Sequence, residues 1–294
     1  MGKFDGLLLA SDFDDTLYGL DLRIPERNLK AIRYFIREGG YFVMATGRAH
    51  RTFAPYAPLI PMNAPAVLSN GAAVYDFQAD RMLEQTCLPD TAPQDLGALM
   101  EEFPSLALET YHGEDIYVCR PNCITFAHLK KVGCGYTECP VAEMPGPWVK
   151  ALFHQEREVL LQVQARLLAE HGDRYEAIFS NPVYLELTCK GSNKGDGVAR
   201  VAKMLGVEPG HIYCVGDNQN DIPMMELSAI PFAPANCAQE VKDWGARILC
   251  HCNDGVIGDI VDILDGLYGE GAVDKQPVPM FVCQATPQEG NPIA

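Results

Sequence analysis

Short apolar runs alternate with helical patterns along the first 70 residues. Residues 7–10, 41–45 and 66–68 are uninterrupted apolar runs, and residues 25–38 repeat apolar positions at helical spacing before Gly39-Gly40. Uninterrupted runs are typical of strands that are buried on both faces of a parallel sheet. Because helical patterns separate the runs, the alternation predicts a parallel sheet with right-handed crossovers.

The pattern changes between residues 86 and 188. This segment is interrupted by proline and glycine and contains aromatic runs typical of antiparallel strands, such as residues 115–119. Helical patterns occupy residues 91–103 and 155–171, and a hairpin is predicted near residue 181. We therefore predict a separate small domain of antiparallel strands with two helices.

After residue 193 the first pattern resumes. Residues 194–205 predict a helix, residues 211–215 a buried strand, and residues 255–267 a last amphipathic helix. The whole pattern predicts an α/β fold, with a doubly wound, Rossmann-like parallel sheet as its core. We predict a discontinuous core at residues 1–85 and 189–270, an inserted α/β cap at residues 86–188, and a loosely attached tail at residues 271–294.

Polar residues stand where the predicted strands end. They are Asp12, Asp14 and Thr16 after the first strand, Thr46 after the second, Lys194 at a helix start, and Asp217, Asn220 and Asp221 after the fourth strand. In a doubly wound sheet all these ends project into one crevice. Carboxylates suit a hard divalent cation, a lysine and a hydroxyl suit phosphoryl oxygens, and a spare carboxylate can transfer a proton. Each element taken alone also has a purely structural explanation. The acidic residues could form a solvated turn, Lys194 a buried ion pair, and Thr46 a helix cap.

The charge of the chain limits its partners. Among the 294 residues, 39 are acidic and 23 basic, which gives a formal net charge of −16. A chain this acidic repels phosphate backbones and anionic lipids, so we expect neither a nucleic acid polymer nor a membrane as partner. A phosphate ester would need a local cation to approach the chain. The composition therefore favours a metal at the site.

The cysteines and histidines add little to the predicted chemistry. Eleven cysteines, an odd number, follow no secretory segment, so we expect reduced thiols in the cytoplasm. No Cys-x-x-Cys pair occurs, and the spacings of Cys119/Cys123 and Cys134/Cys139 disfavour structural zinc. We expect three of the cap histidines to be solvated or hydrogen-bonded core residues, namely His128, His154 and His171.

In this order and spacing, the polar motifs resemble those of the haloacid dehalogenase superfamily. Residues 12–16 are similar to its first motif, Thr46 to its second, Lys194 to its third, and residues 216–221 to its fourth. More closely, Thr46-Gly47-Arg48, Ser69-Asn70-Gly71, Asn193-Lys194-Gly195 and Asn220-Asp221 resemble the Cof-type phosphatases. The resemblance covers about residues 5–268, but within the cap it is one of architecture only.

This resemblance implies a Mg²⁺-dependent phosphatase that acts through an aspartyl-phosphate. Asp12 is the implied nucleophile, and Mg²⁺ is held by Asp12, the backbone carbonyl of Asp14 and Asp217. Asp14 is the implied general acid for the leaving oxygen and then the base for water. The family often has glycine where this chain has Asp15, to which we assign no role and which we expect to point away from the site.

The resemblance also implies how the phosphoryl oxygens are bound. Lys194 and Thr46 bind the non-bridging oxygens, and Gly47 and Asn220 join them as phosphate- or substrate-binding residues. Asp221, together with Asn220, orients Lys194 and water on the metal.

Three further residues are expected to support the site. Thr16 is a supporting residue of the first motif. Arg48 either contacts the substrate or pairs with a surface carboxylate. Asn70 is either a residue at the lip of the site or simply a turn residue.

Three other functions stay open from the sequence. A phosphomannomutase-like phosphotransferase shares the core motifs and a similar cap, and a non-catalytic protein could bind a phosphorylated metabolite through the same architecture. A phospho-acceptor receiver domain also combines an acidic cluster, a threonine and a lysine, but it has no long insertion. The sequence does not rank sugar phosphates, nucleotides and cofactor phosphates as the small phosphorylated substrate, and it leaves the oligomeric state unknown.

Overall fold

The computed structural model of the protein describes residues 2–269 and builds them around three β-sheets. The predicted tail at residues 271–294 lies outside the described residues. The strands are β1 (Leu8–Ser11), β2 (Tyr41–Met44), β3 (Ala66–Leu68), β4 (Ala73–Asp76), β5 (Arg81–Gln85), β6 (Ala107–His112), β7 (Asp115–Cys119), β8 (Thr137–Glu138), β9 (Lys150–His154), β10 (Tyr175–Asn181), β11 (Tyr184–Cys189), β12 (Ile212–Val215), β13 (Pro231–Ala233) and β14 (Arg247–Ile248).

The α-helices lie between these strands along the chain, both in the core and within the cap segment. They are α1 (Glu26–Arg37), α2 (His50–Phe53), α3 (Ala92–Glu102), α4 (Cys123–Val132), α5 (Arg157–His171), α6 (Lys194–Leu205), α7 (Ile222–Met225), α8 (Gln239–Trp244) and α9 (Val256–Tyr268). Short 3₁₀ turns precede or follow several strands. Among the described residues, no helix has the length and apolar character needed to cross a membrane.

A parallel sheet in the order β14-β13-β12-β1-β2 forms the centre of the core. Successive side chains alternate between its faces: Leu9 packs with residues of α1 and α9, whereas Leu8 and Ala10 pack with residues of α6 and α8. Both faces are therefore buried, as the uninterrupted apolar runs predict. The predicted fold class, a doubly wound α/β core with an inserted α/β cap, is confirmed.

The third predicted strand occupies a different position from the one its apolar run suggests. β3 joins β2 only through a parallel bridge between Ala45 and Val67, and it pairs antiparallel with β4 in a small sheet of order β3-β4-β5. Strands β4 and β5 form an antiparallel hairpin in this sheet. Thr46 still lies beside β3, because its N–H donates to the carbonyl of Val67 at 2.9 Å.

The cap segment contains a six-stranded sheet in the order β10-β11-β9-β6-β7-β8, which is antiparallel except for the β7–β8 pair. One face packs against α3 and α5, and the other carries Leu129 of α4 together with Ala49 of the core. The prediction of two cap helices is wrong, because α4 is a third. The boundaries at residues 85/86 and 188/189 remain our proposal.

Candidate active site

The predicted motif residues come together where the parallel strands end. Ser11, the last residue of β1, pairs with Met44 of β2 and Val215 of β12, so the loops that follow these three strands begin at the same level. Helix α6 brings Lys194 to this edge, with Asn193 as N-cap and its side chain accepting from the N–H of Asp196. Strand register and a capped helix start thus position the site.

Close backbone approaches hold these loops together. A β-carbon on Gly71, whose φ is +95°, would lie 2.0 Å from the carbonyl oxygen of Asn193. A β-carbon on Gly216 would lie 2.3 Å from the carboxyl carbon of Asp221. Only glycine fits at these two contacts, and this allows the loop after β3 to reach α6 and the loop after β12 to fold over itself.

Lys194 is buried between two carboxylates. Its Nζ donates to Asp12 Oδ1 at 2.5 Å and to Asp221 Oδ1 at 2.6 Å, and the residue is 1% exposed. Burial opposes the lysine charge, but the two carboxylates hold the pKa of Lys194 above its ordinary value. Asp221 Oδ2 accepts from the N–H groups of Asp217 and Asn218, both at 2.9 Å. Lys194 is therefore a fixed cation at the base of the site.

Three carboxylates surround this single cation. Carboxylate oxygens of Asp12, Asp217 and Asp221 lie within 4.8 Å of one another, and Thr16 Oγ1 donates to Asp217 Oδ1 at 3.3 Å. Burial raises the pKa of Asp12 to about 7 against the pull of Lys194. Burial and the nearby charges of Asp12 and Asp221 raise the pKa of Asp217 well above its ordinary value. An all-oxygen, electron-rich donor set of this kind fits a hard divalent cation, which would relieve the repulsion.

The repulsion at Asp217 leads to a stability prediction. With a chelator present at pH 8, Asp217→Asn is expected to raise the free energy of unfolding by on the order of 1 kcal/mol, or about 2–4 °C in Tm. The reason is that the substitution removes one of several negative charges buried close together. When the pKa of a carboxyl group is higher in the folded than in the unfolded chain, the free energy of unfolding of the protein falls as the pH rises. The gain should therefore shrink as the pH falls towards 4. Thermal melts at several pH values measure it.

Mg²⁺ supplies the internal control for this prediction. Saturating Mg²⁺ should raise the Tm of the unsubstituted protein, because binding to the folded state alone stabilises it, and it should raise the Tm of Asp217→Asn much less. An equal Mg²⁺-dependent rise in both proteins would show that Asp217 is not a ligand.

The second motif forms one wall of the site and is tied to the cap. Thr46 is 1% exposed, and its Oγ1 accepts from the N–H of Arg48 at 3.1 Å. The carbonyl of Gly47 accepts from Lys150 Nζ of strand β9 at 2.7 Å. The Lys150 Nζ also lies 3.1 Å from Glu186 Oε2 of strand β11. The loop that carries Thr46 is thus clamped by a buried ion pair of the cap.

Asn70 is part of this clamp rather than of the lip of the site. It is 4% exposed with φ +52°, and its Nδ2 donates to Glu186 Oε2 at 2.7 Å. Its Oδ1 accepts from Asn220 Nδ2 at 3.0 Å. Both sequence interpretations of Asn70 are incomplete, because its turn conformation serves a buried network. Asn220 contacts Asn70 in this network, whereas the carboxylate of Asp221 contacts Lys194 directly.

Arg48 forms a buried ion pair and also lines the site cavity, so a contact with the substrate stays a prediction. It is 6% exposed, its Nε donates to Asp14 Oδ2 and its Nη2 to Asp14 Oδ1, both at 2.8 Å, and its Nη1 donates to the carbonyl of Thr52. The guanidinium also lies over the rings of Phe13 and Tyr56. A surface ion pair is therefore wrong for Arg48, because its partner is the implied acid–base residue itself.

The Arg48 pair determines the charge of Asp14. Although burial opposes ionisation, the hydrogen bonds and charge of Arg48 hold the pKa of Asp14 below its ordinary value. Lys131 of α4 reaches to 3.5 Å from Asp14 Oδ1 and acts in the same direction. Asp14 is thus an ionised carboxylate here, the form that can accept a proton.

Breaking this pair is expected to shift the pH dependence of catalysis. Arg48→Gln removes the bidentate donor, so the pKa of the partly buried Asp14 should rise and base catalysis should fail at a higher pH than in the unsubstituted protein. p-Nitrophenyl phosphate is the suitable substrate, because its leaving group needs no proton. The measurement is the acid limb of kcat against pH. Arg48→Lys, which keeps the charge, should shift the limb less, and superimposable profiles would show that Arg48 does not tune Asp14.

Asp15 occupies a backbone conformation that explains the common glycine of the first motif. Its φ is +61°, its N–H donates to the carbonyl of Tyr18 at 2.8 Å, and its own carbonyl accepts from Asn236 Nδ2 at 2.8 Å. The left-handed region is readily adopted by glycine and tolerated by aspartate. Asp15 also lines the site cavity, so the expectation that it points away is wrong.

The cavity above these residues has a volume of about 110 Å³ and is enclosed partly by the cap. Cap residues that line it and that the sequence did not single out include Tyr111, Lys131, Lys150, Asn181, Tyr184 and Glu186. Small-molecule sites usually begin at roughly 300 Å³, so a bound metabolite requires the cap and core to separate further than they do here. A sequence feature that indicates two of these cap residues is their charge: Lys150 and Glu186 are charged residues inside otherwise buried strands.

Comparison with known proteins agrees with this geometry. The family model for haloacid dehalogenase-like hydrolases matches residues 9–260. A putative phosphatase of Bacillus subtilis is 26% identical over 249 residues, which cover 80% of this chain and 90% of the relative. The 5-amino-6-(5-phospho-D-ribitylamino)uracil phosphatase YcsE of Bacillus subtilis is 26% identical over 250 residues, or 85% of this chain and 92% of the relative.

Solved structures show the same fold. A haloacid dehalogenase-like hydrolase from Bacteroides thetaiotaomicron superposes with a TM-score of 0.74 at 20% identity, over 88% of this chain and 99% of that one. A HAD subclass IIB sugar phosphatase superposes with a TM-score of 0.77 at 19% identity, over 87% of this chain and 98% of that one. The predictions of the superfamily and of an enzyme of the phosphatase class are confirmed. The chain belongs to the haloacid dehalogenase-like hydrolase family.

Proposed function

We propose that the protein is a Mg²⁺-dependent phosphatase that hydrolyses a small phosphorylated metabolite through an aspartyl-phosphate on Asp12. The observation that carries this proposal is the buried Lys194, which is held between Asp12 and Asp221 beside the further carboxylate of Asp217. A purely structural ion pair would need one carboxylate, and the surplus negative charge fits a cation and a reacting phosphate. Sugar phosphates, nucleotides and cofactor phosphates are the candidate substrates.

Asp12, Asp217 and the backbone carbonyl of Asp14 would hold the metal. When bound, Mg²⁺ supplies positive charge that screens the repulsion between the carboxylates and the dianionic ester. The donor set is all oxygen, as this hard cation prefers. Thr16 supports the set through its hydrogen bond to Asp217.

The reaction begins when a carboxylate oxygen of Asp12 attacks phosphorus. The bond from phosphorus to the leaving oxygen breaks, and Asp14 donates a proton to that oxygen. Asp14 must carry a proton at this stage, so the hydrogen bonds from Arg48 have to loosen when the ester binds. Lys194 and Thr46 bind the non-bridging oxygens as charge spreads onto them, with Gly47 and Asn220 at the same wall.

Hydrolysis of the aspartyl-phosphate completes the cycle. Asp14, now ionised and paired with Arg48, takes a proton from water, which attacks phosphorus. The bond from phosphorus to Asp12 breaks, and the Asp12 carboxylate is regenerated. The described arrangement, with Asp14 ionised, fits this second stage.

The enclosed site favours small substrates over polymers. The cap partly encloses the cavity, and the net charge of −16 repels the phosphate backbone of a nucleic acid strand. Oligomeric state stays open. A cytoplasmic location remains a prediction from the cysteine content.

A phosphate-release screen tests this function. Purified protein with Mg²⁺ is incubated with phosphorylated sugars, nucleotides and cofactors in the absence of any bisphosphate activator. Release of inorganic phosphate that stops on chelation supports the phosphatase. Transfer of the phosphoryl group to a second sugar hydroxyl without release would show a phosphotransferase, and binding without either reaction would show a metabolite-binding protein.

A further inference from the structure

Three buried residues of the cap converge at the edge of the site cavity, which His128 lines. Glu109 lies on β6, His128 on α4 and His154 on β9, and we call them the cap triad. One ligand atom from each lies within 4.8 Å of the others. Glu109 Oε2 is 3.1 Å from His128 Nδ1 and 4.0 Å from His154 Nε2. Glu109 and His154 are fully buried, and His128 is 9% exposed.

His154 has a nitrogen with no partner inside this cluster. Its Nε2 is buried without any hydrogen bond, whereas its Nδ1 lies 3.1 Å from Thr125 Oγ1. In the tautomer in which Nδ1–H donates to Thr125, Nε2 carries a lone pair that faces the carboxylate of Glu109. In this tautomer two electron-rich atoms face each other in a buried site, and a cation between them would satisfy both.

We propose that Glu109, His128 and His154 form a second metal site, for a divalent cation of the zinc class. Two imidazole nitrogens and one carboxylate suit Zn²⁺ and related late transition metals, whereas Mg²⁺ prefers oxygen ligands. Ligand atoms about 3.3 Å apart correspond to tetrahedral bonds of roughly 2.0–2.1 Å. The 3.1 Å separation is already close to this value, and only the 4.0 Å separation has to contract, by about 0.7 Å. The proposal does not depend on the hydrolytic function.

The surroundings of the triad are those of ligands held in place. Tyr111 donates its hydroxyl to Glu109 Oε1 at 2.6 Å, which leaves Oε2 for the metal. Thr125 fixes the ring of His154 from the other side. The ring of Tyr184 packs against both histidine rings, with centroids 5.1 and 5.2 Å away. Such outer partners orient metal ligands and are commonly needed for full affinity.

The site would connect α4 to the middle of the cap sheet. Glu109 and His154 lie on the neighbouring strands β6 and β9, and His128 is on α4. Three residues further along α4, Lys131 reaches Asp14 at 3.5 Å. A metal at the triad would therefore fix the helix that forms one wall of the substrate cavity.

Binding of Zn²⁺ and Co²⁺ to the full chain tests the site. Chelator-stripped protein is first saturated with Mg²⁺, so that the carboxylates around Asp12 are occupied, and is then titrated by calorimetry. We expect one equivalent of Zn²⁺ to bind and to raise the Tm. The Co²⁺ complex should show visible d–d bands without a sulfur-to-cobalt charge-transfer band, because none of the triad ligands is a thiolate.

Matched variants decide between the triad and other donors. His128→Gln, at the least buried ligand, should weaken Zn²⁺ binding by at least about tenfold, and Thr125→Val, which keeps all three ligands, by a similar factor. His112→Gln, a cap histidine outside the triad, should bind as the unsubstituted chain does. Circular dichroism checks the fold of each variant.

The following results would overturn the proposal. One is the absence of a one-to-one site in the Mg²⁺-saturated protein, which would make the triad a hydrogen-bonded ion pair. Another is equal affinity in the folded His128→Gln, Thr125→Val and His112→Gln proteins. A thiolate band in the Co²⁺ spectrum would place the metal on cysteines.

Discussion

Asp12→Asn is expected to lower the rate of phosphate release by roughly 10⁴-fold or more, the scale of loss when a covalent enzyme loses its nucleophile. The amide keeps the shape of the side chain but cannot attack phosphorus. The fold should persist, because burial already raises the pKa of Asp12 to about 7 and a neutral residue is therefore tolerated there. Steady-state kinetics with Mg²⁺, paired with thermal melts, measure both effects.

Asp5→Asn is the matched control for this substitution. Asp5 is an exposed carboxylate shortly before the same strand, and its conversion to the amide should leave turnover unchanged. Turnover near that of the unsubstituted protein in a folded Asp12→Asn variant would refute the nucleophilic role.

Lys194→Met is expected to slow turnover by at least about a hundredfold, because it removes a fixed charge partner of the transferring phosphoryl group. The substitution should also destabilise the protein by about 3–5 kcal/mol, since Asp12 and Asp221 lose their common buried partner. Without the charge of Lys194 the Asp12 carboxyl group resists ionisation more strongly, so the destabilisation should be smaller at pH 5 than at pH 8. Denaturant unfolding at the two pH values measures it.

Lys203→Met provides the comparison on the same helix. Lys203 is exposed in the last turn of α6, so the substitution should change neither kcat nor stability appreciably. If Lys194→Met raised only KM and left kcat intact, Lys194 would contribute uniform binding rather than stabilisation of the transition state.

The sequence predicts the core well because the predictive pattern is local. The apolar run at residues 7–10 corresponds to β1 at Leu8–Ser11, and the pattern at residues 194–205 corresponds to α6 at Lys194–Leu205. Because parallel strands end at one edge of a sheet, the sequence predicts that the polar residues after each apolar run lie close together. Their catalytic and binding roles stay predictions.

Helix α4 was missed because its apolar pattern is weak. Its buried face is formed by Thr125, His128 and Leu129, two of which are polar. The start of the helix is marked by a capping box in which the Asn122 side chain accepts from the N–H of Thr125. The polar face that conceals the helix in the sequence is the same face that contributes His128 to the cap triad.

The sequence does not predict those contacts of the site that are made between residues far apart along the chain. Arg48 and Asp14 are 34 residues apart, and Asn70 and Glu186 are 116 residues apart, so no local spacing relates either pair. The cap residues reach the cavity only through the register of an antiparallel sheet. That register depends on long-range pairing and not on a repeated pattern of residues.

Trapping the covalent phosphoryl group on Asp12 tests the central claim most directly. In an Asp14→Asn variant with Mg²⁺ and p-nitrophenyl phosphate, the first stage should proceed, because the leaving group needs no acid, whereas hydrolysis should stall for lack of a base. Acid quenching, borohydride reduction and peptide mass spectrometry should then find homoserine at position 12. Steady phosphate release with unmodified Asp12 at every quench time would contradict the account.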